Sequence, residues 1–422
     1  MNLNPSVKNR FYTTIRIFTI LCLTASKLTA QLSDSTIASL INQVDLDRLS
    51  SHVRALSGVD TIRVNRINTV ITSRRVGEQG HADAIEYLVM KLKEYGYSTD
   101  QTSFYRGETH VQNLFASHPG VTDPDHYYIL SAHYDTYNRN TADPAPGAED
   151  NAGGVAAVLE TARILYNFET DYTVKFAFWD AEELGLLGSE NYAFKESRLE
   201  ESNLLGVVNL DMIAYTTDSL WQYSINTRDT ANSIEMSDLV YSLSTSYFDS
   251  LYPIVYNPGL LGSDHRRFWE YGFSAIFIGE AFRTVDYPYY HTANDTYDKL
   301  NLPFFHDMTK LVLASITHLA TSSESEVYPQ ASLVASEIIL NQNYPNPFNH
   351  HTIISYVLNN SGQTILALYN LNGAVVLHLV DDYQTAGVYH LPLDASSLAS
   401  GVYYYQLRQN KQSFTRSMML LK

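Results

Sequence analysis

Four apolar runs of strand length, at residues 127–132, 174–179, 205–210 and 274–278, constrain the fold of this chain most. Each is nearly continuous in apolar character, where a strand with one wet face would alternate. Each is therefore expected to be covered on both faces by other elements. Helical patterns lie between them. Ile85, Leu88, Val89 and Leu92 recur at helical spacing ahead of the stop signal Gly96, and Val155, Val158, Leu159, Ala162 and Leu165 mark one side of a helix over 152–166. Buried strands alternating with helices predict an α/β fold, a three-layer αβα domain with a mostly parallel central sheet. Helical periodicity stops near Tyr328. Beyond it the strand candidates are 352–358, 364–369, 374–379, 387–391, 402–407 and 413–420, with Asn372-Gly373 as a hairpin turn. They predict a separate all-β, immunoglobulin-like sandwich.

Residues 1–30 have another character. Lys8, Arg10 and Arg16 precede or flank the start of the apolar run 17–25, and Ala30 closes a cleavage site before Gln31, the layout of an export signal. The run is short for a bilayer, and no later stretch reaches the roughly 20 apolar residues of a membrane helix. No transmembrane segment is expected in the mature chain. The only cysteine, Cys22, lies within the signal, and Leu21 before it lacks the small side chain expected beside a lipid-modified cysteine. The mature chain then has no disulfide and no cysteine ligand. A net charge of -17 argues against a nucleic-acid partner, whose phosphates need a basic face. The expected division is a signal at 1–30, the α/β domain at 31–325, a linker at 326–339 and the sandwich at 340–422.

Polar residues collect where the predicted strands end, which is where open α/β sheets form their sites. In "LSAHYDTY", His133 and Asp135 point to one side of an extended chain, and Asp135 could orient an imidazole by taking its second N–H. In "GAEDNAGGVAAVLETARIL", Asp150 could cap a helix, but Gly153 and Gly154 after it suggest close backbone approach. In "FAFWDAEELGLLGS", Glu182 and Glu183 follow a buried strand as adjacent like charges. A cation at Glu183 with water beside Glu182 would compensate them; solvated surface glutamates are the plain alternative. "VVNLDMIAY" sets Asp211 at a strand end, and "YYHTANDTYDKL" sets His291 in a polar loop. Singly each has an ordinary structural reading. Together they offer nitrogen and oxygen ligands of the kind zinc accepts, as manganese or cobalt sites also do.

The strings "HYD", "EDNAGG", "WDAEELGLLGS", "NLDM", "GSDHRRFW" and "YHTANDT" occur in an order that resembles the dizinc aminopeptidase family of zinc exopeptidases, over roughly residues 73–319. The resemblance implies two Zn2+ per chain. His133 and Asp211 would hold one, Glu183 and His291 the other, and Asp150 would bridge them. It also implies Glu182 as general base, Asp135 behind His133, and a cis peptide at Asp150-Asn151. Tyr290 is a candidate for polarising the scissile carbonyl. Asp264 and His265 border the site or brace it. The loop 137–148 and the aromatic stretch 286–290 could line a pocket or be plain surface. The implied substrate is a peptide with a free N-terminus. A glutaminyl cyclase, a carboxypeptidase or dipeptidase relative, and a non-catalytic adhesin are the alternatives.

The segments "NQNYPNPFNHHTIISYVL", "LALYNLNGAVVLHLV", "SLASGVYYYQL" and "MMLLK" resemble the C-terminal sorting domain of type IX secretion, from about residue 340 to 422. That implies export through the periplasm, recognition by the type IX machinery, and release or surface attachment.

Overall fold

The computed structural model describes residues 33–199, 202–217, 220–281, 287–321 and 338–421, apart from 341, 344–345, 350, 359, 385–386 and 411. The export signal, most of the predicted linker and part of the Asn-Tyr-Pro opening of the second domain lie outside the described residues.

The first domain begins with α1 (Asp34–Ile41) and α2 (Leu46–Leu56), a small antiparallel pair β1 (Ile62–Val64) and β2 (Ile67–Thr69), and α3 (Gln79–Glu94). Helix α2 is entered through Asp45, whose carboxylate accepts the amides of Asp47 and Arg48, and α3 ends just before Gly96 at φ 99°. An eight-stranded sheet follows. Its strands in chain order are β3 (Thr99–Arg106), β4 (Thr109–His118), β5 (Asp123–His133), β6 (Tyr172–Trp179), β7 (Leu204–Leu210), β8 (Gln222–Asn226), β9 (Tyr252–Tyr256) and β10 (Ala275–Glu280), arranged β3-β4-β6-β5-β7-β10-β8-β9. Helices α4 (Gly154–Leu165), α5 (Leu187–Glu196), α6 (Ser233–Tyr247), α7 (His265–Glu270) and α8 (Leu302–Thr321) connect and cover it.

The four continuous apolar runs are the parallel centre, β6-β5-β7-β10. Their side chains divide between two cores with the period of two that extended chain imposes. Phe176, Phe178, Leu130, Ala132, Val208 and Leu210 face α3, α4, α6 and α8, whereas Ala177, Trp179, Ile129 and Val207 face α5 and α7. Both faces are dry, which is the three-layer arrangement. Burying Phe176 or Phe178 completely contributes on the order of 1.5–3 kcal/mol each. The antiparallel flanks, with β4 against β6, β3 against β4 and β8 against β10, have no such runs. Edge strand β3 exposes about every other residue, so a search for continuous apolar segments passes over it.

The second domain places β11 (Ile339–Leu340), β12 (His351–Leu358) and β15 (Gly387–Asp394) in one antiparallel sheet, and β13 (Gly362–Tyr369), β14 (Val375–Gln384), β16 (Gly401–Gln409) and β17 (Gln412–Leu420) in another. Their inner faces share one core that includes Ile354, Tyr356, Leu366, Leu368, Tyr405 and Leu407. The turn expected at Asn372-Gly373 joins β13 to β14, with Gly373 at φ 75° and its amide donating to Asn370.

Candidate metal centre

Because β5, β6, β7 and β10 run parallel, their carboxyl ends open on one side of the sheet. His133 is the last residue of β5, Glu182 and Glu183 lie in the turn after β6, and Asp211 directly follows β7. Asp150 comes from a wide turn, Ala148–Gly153, that leads into α4; only Asp150 and Asn151 depart from helical φ/ψ in it, so helical backbone resumes at the expected start, Ala152. His291 comes from the loop after β10.

Each of these segments is held by bonds that leave the functional side chains unused. The amides of Glu182 and Glu183 donate to the two carboxylate oxygens of Asp135, at 3.0 and 3.2 Å. The amides of Glu149 and Asp150 donate to Asp295, at 2.8 and 3.1 Å, and the Tyr287 hydroxyl donates to the same carboxylate at 2.6 Å. Asn151 donates its side-chain amide to Leu210, tying the wide turn to the end of β7, and the Asp150-Asn151 peptide is cis. Arg74, fully buried, donates to the carbonyls of Leu56, Tyr134, Pro146 and Gly147 and fixes the approach to the turn. Gly147 has φ 57°, and a Cβ there would lie 2.4 Å from the Asp150 carbonyl oxygen. Gly154 is equally confined, since its Cβ would lie 2.4 Å from Asn151 Oδ1. Ala181, Met212 and His291 also adopt left-handed φ of 55–57°, so sparsely populated backbone collects beside Glu182, beside Asp211 and at His291 itself.

The side chains so held converge in two groups. His133 Nε2 lies 3.2 Å from Asp150 Oδ1 and 3.4 Å from Asp211 Oδ1. His291 Nε2 lies 3.2 Å from Asp150 Oδ2 and 2.9 Å from Glu183 Oε2. Asp150 thus turns one oxygen to each imidazole. Among the described residues, buried His133 Nε2, His291 Nε2, Asp211 Oδ1 and Glu183 Oε1 have no hydrogen-bond partner. Buried polar atoms without partners are costly, and nitrogen and carboxylate lone pairs aimed at common points fit a bound cation. Two sets, His133 with Asp150 and Asp211, and Asp150 with Glu183 and His291, have ligand atoms close enough to hold a metal. Asp135 Oδ1 also lies 3.5 Å from His133 Nδ1, so the carboxylate that holds the glutamate turn lies beside the imidazole as well.

The electrostatics are those of crowded acids. Burial and the charge of Asp150 push Glu183 up to about 8, and burial pushes Asp264 up to about 7. Against burial, which lowers it, contact with Asp150 and Glu183 raises His291 to about 9.

Tyr290 stacks on the His291 ring, with centroids 3.7 Å apart, and Tyr137 meets the same ring edge-on. Both tyrosines are partly exposed, so residues from each of the two loops named in the sequence flank His291. His265 Nε2 donates to the Leu260 carbonyl at 2.8 Å, and the ring packs between Trp269 and Phe277, a bracing role. Asp264 is fully buried, and neither of its oxygens has a hydrogen bond among the described residues. Arg74 and Glu280 carry no local pattern that marks them, and Glu149 and Asp295 lie within the strings that carry the resemblance without a role of their own. Glu149 accepts the amides of Ala214 and Tyr215, and Glu280 at the end of β10 is buried with neither oxygen bonded among the described residues.

Residues 113–316 match the model of peptidase family M28, and residues 342–421 match that of a secretion system C-terminal sorting domain. The chain is 32% identical over 235 residues to aminopeptidase YwaD of Bacillus subtilis, covering 54% of this chain and 46% of that one. It likewise spans less than half the length of several curated fungal proteins named as probable zinc metalloproteases. The fold is similar to that of the LapA aminopeptidase of Legionella pneumophila, with TM-score 0.58 and 21% identity over 71% of this chain and 78% of that one. It is also similar to that of a glutaminyl cyclase of Bacteroides thetaiotaomicron, with TM-score 0.52 and 20% identity over 65% and 98% of the two chains. The sorting domain implies secretion or cell-surface attachment, and no helix among the described residues is long and apolar enough to cross a membrane. The α/β domain of this chain therefore belongs to peptidase family M28, and the β-domain after it is a secretion system C-terminal sorting domain.

Proposed function

We propose that this chain is an exported zinc aminopeptidase with two metal ions per site, one held by His133, Asp150 and Asp211 and the other by Asp150, Glu183 and His291. The observation that carries the reading is the shared Asp150, whose two oxygens address two separate histidine–carboxylate groups. Zinc bound there would supply Lewis acidity to a carbonyl and would lower the pKa of a water molecule.

The rest falls to the chain's own residues. Glu182, outside both ligand groups, takes a proton from the attacking water and returns it to the leaving amine nitrogen. Asp135 holds the Glu182 and Glu183 amides, so the base and the neighbouring ligand keep a fixed spacing. Carboxylates around the cleft favour a substrate that presents an α-ammonium group. Tyr290, stacked on His291 and partly exposed, is the candidate for a hydrogen bond to the scissile carbonyl.

The test compares leucyl, N-blocked leucyl and N-terminal glutamine peptides with and without a chelator. Release of the first residue from free N-termini only, lost with the chelator and restored by zinc, is the expected result. Cleavage of N-blocked peptides would overturn the exopeptidase assignment. Cyclisation of the glutamine peptide without release of an amino acid would point to the cyclase chemistry found on this fold.

Export through the periplasm by the type IX machinery is proposed from the sorting domain. A chain lacking residues 340–422 is expected to remain in the cell. Its normal appearance in the medium or on the cell surface would remove the sorting role.

A further inference from the structure

We propose that Arg139 receives a carboxylate on the leaving-group side of the substrate, so that this enzyme favours peptides with a negative charge just beyond the scissile bond. The inference rests on the aminopeptidase reading and deepens it.

Arg139 is tied to the site by its backbone. Its amide donates to the carbonyl of His291 at 3.1 Å, which joins the loop after β5 to the loop that carries a proposed metal ligand. Its guanidinium lies 5.9 Å from the centre of the Tyr290 ring, and that ring stacks on His291. The side chain is exposed, and no carboxylate among the described residues pairs with it. Neighbouring guanidinium groups are committed elsewhere. Arg74 spends its donors on four carbonyls, and Arg75 pairs with Glu78 and bonds the Asn140 and Asp143 carbonyls.

The position of the scissile bond decides which end of a peptide this cation meets. On the aminopeptidase reading that bond lies one residue from the free amino end, so the amino end sits among the buried groups around Asp150 and Asp211, and the leaving-group side runs out toward the exposed Tyr137, Tyr290 and Arg139. Arg139 is separated from the His291 ring by one stacked tyrosine. An extended peptide advances roughly 3.3–3.6 Å per residue, so the carboxylate of a residue one to three positions past the scissile bond can reach it. A guanidinium suits this task because its planar fork offers two parallel donors to one carboxylate.

Two sources of that carboxylate are possible in chemistry: the C-terminus of a short peptide, or an acidic side chain. The experiment measures kcat and KM of the zinc-loaded full chain and of Arg139→Gln on matched pairs. Leu-Gly and Leu-Gly-Gly are each compared with their C-terminal amides, and Leu-Asp-amide is compared with Leu-Asn-amide. Leucine p-nitroanilide, which has no carboxylate, is the reference. The wild type is expected to prefer the carboxylate member of at least one pair by about tenfold in kcat/KM, mainly through KM, since a hydrogen-bonded charge is being gained. Arg139→Gln should bring that ratio close to one, and Arg139→Lys should restore part of it. The pairs that respond identify the source. Equal rates for acid and amide members in the wild type would overturn the proposal. So would a variant that slows both members alike and keeps their ratio, because that is what a merely structural arginine does. Hydrolysis of the p-nitroanilide with no preference within the pairs removes only the role of Arg139. Failure on every substrate removes the aminopeptidase reading and this inference with it.

Discussion

Replacing Glu182 with Gln lowers kcat by about 10² to 10⁴ while the metal content of the purified protein stays that of the wild type. Both halves of this result come from the geometry. Glu182 belongs to neither group of converging ligand atoms, so its carboxylate is not needed to hold a cation. Its backbone is fixed through Asp135, so an amide of the same size takes the same place without disturbing Glu183. What the amide cannot do is accept the proton of the attacking water. KM is expected to change little, since the loss is confined to the step in which the proton moves. Metal analysis beside steady-state kinetics checks the prediction. If most of the rate survives, the base lies elsewhere, and the buried Asp264, with neither oxygen hydrogen-bonded among the described residues and its charge felt at Glu182, becomes the group to test.

Asp150→Ala should be as damaging for a different reason. It is the one side chain that both histidines address, at 3.2 Å in each case. Removing it leaves one imidazole and one carboxylate on each side, half of the four-coordinate shell that zinc adopts in proteins. Changes behind a ligand cost about 10- to 100-fold in metal affinity, so loss of a ligand shared by two ions is expected to exceed about 100-fold. Dialysed protein should lose metal together with activity. The fold should persist, because the contacts that hold the wide turn use the Asp150 amide and the Asn151 and Glu149 groups, none of which the substitution removes. Circular dichroism and metal analysis on one sample separate the two effects. A variant that keeps two ions after dialysis would exclude the bridging role.

Much of the site was legible in the sequence because its parts are local. His133, Glu183 and Asp211 each follow a run of apolar residues, and such a run ends where the sheet ends. The order of the strings then supplied what single residues could not, since Asp150 alone reads as a helix cap and His291 alone as a loop histidine. The cores were legible in the same way: Phe176 and Phe178 alternate with Ala177 and Trp179, and both sets are apolar because both faces of the strand are covered. Edge strands were not, because β3 and β9 are half exposed and their burial is spread irregularly. The wide turn that carries Asp150 was not legible, because the small residues Ala152 and Gly153 that close it suit a first helical turn equally well.

By itself the sequence determined which elements are buried, the change from an α/β domain to a β-domain, and the set of residues from which a metal site could be drawn. These are properties of short segments and of their order along the chain, and periodicity and turn chemistry record them directly. Only the tertiary structure decided which oxygen of Asp150 faces which histidine, that Asp135 holds the glutamate amides while lying beside the His133 ring, and that Arg139 stands over Tyr290 next to His291. Glu280 became notable only once seen to be buried, with neither oxygen bonded among the described residues. The physical reason is that a residue's own pattern reports whether its segment is covered. Which distant segments meet, and with which atoms, is set by the packing of the whole sheet and its helices.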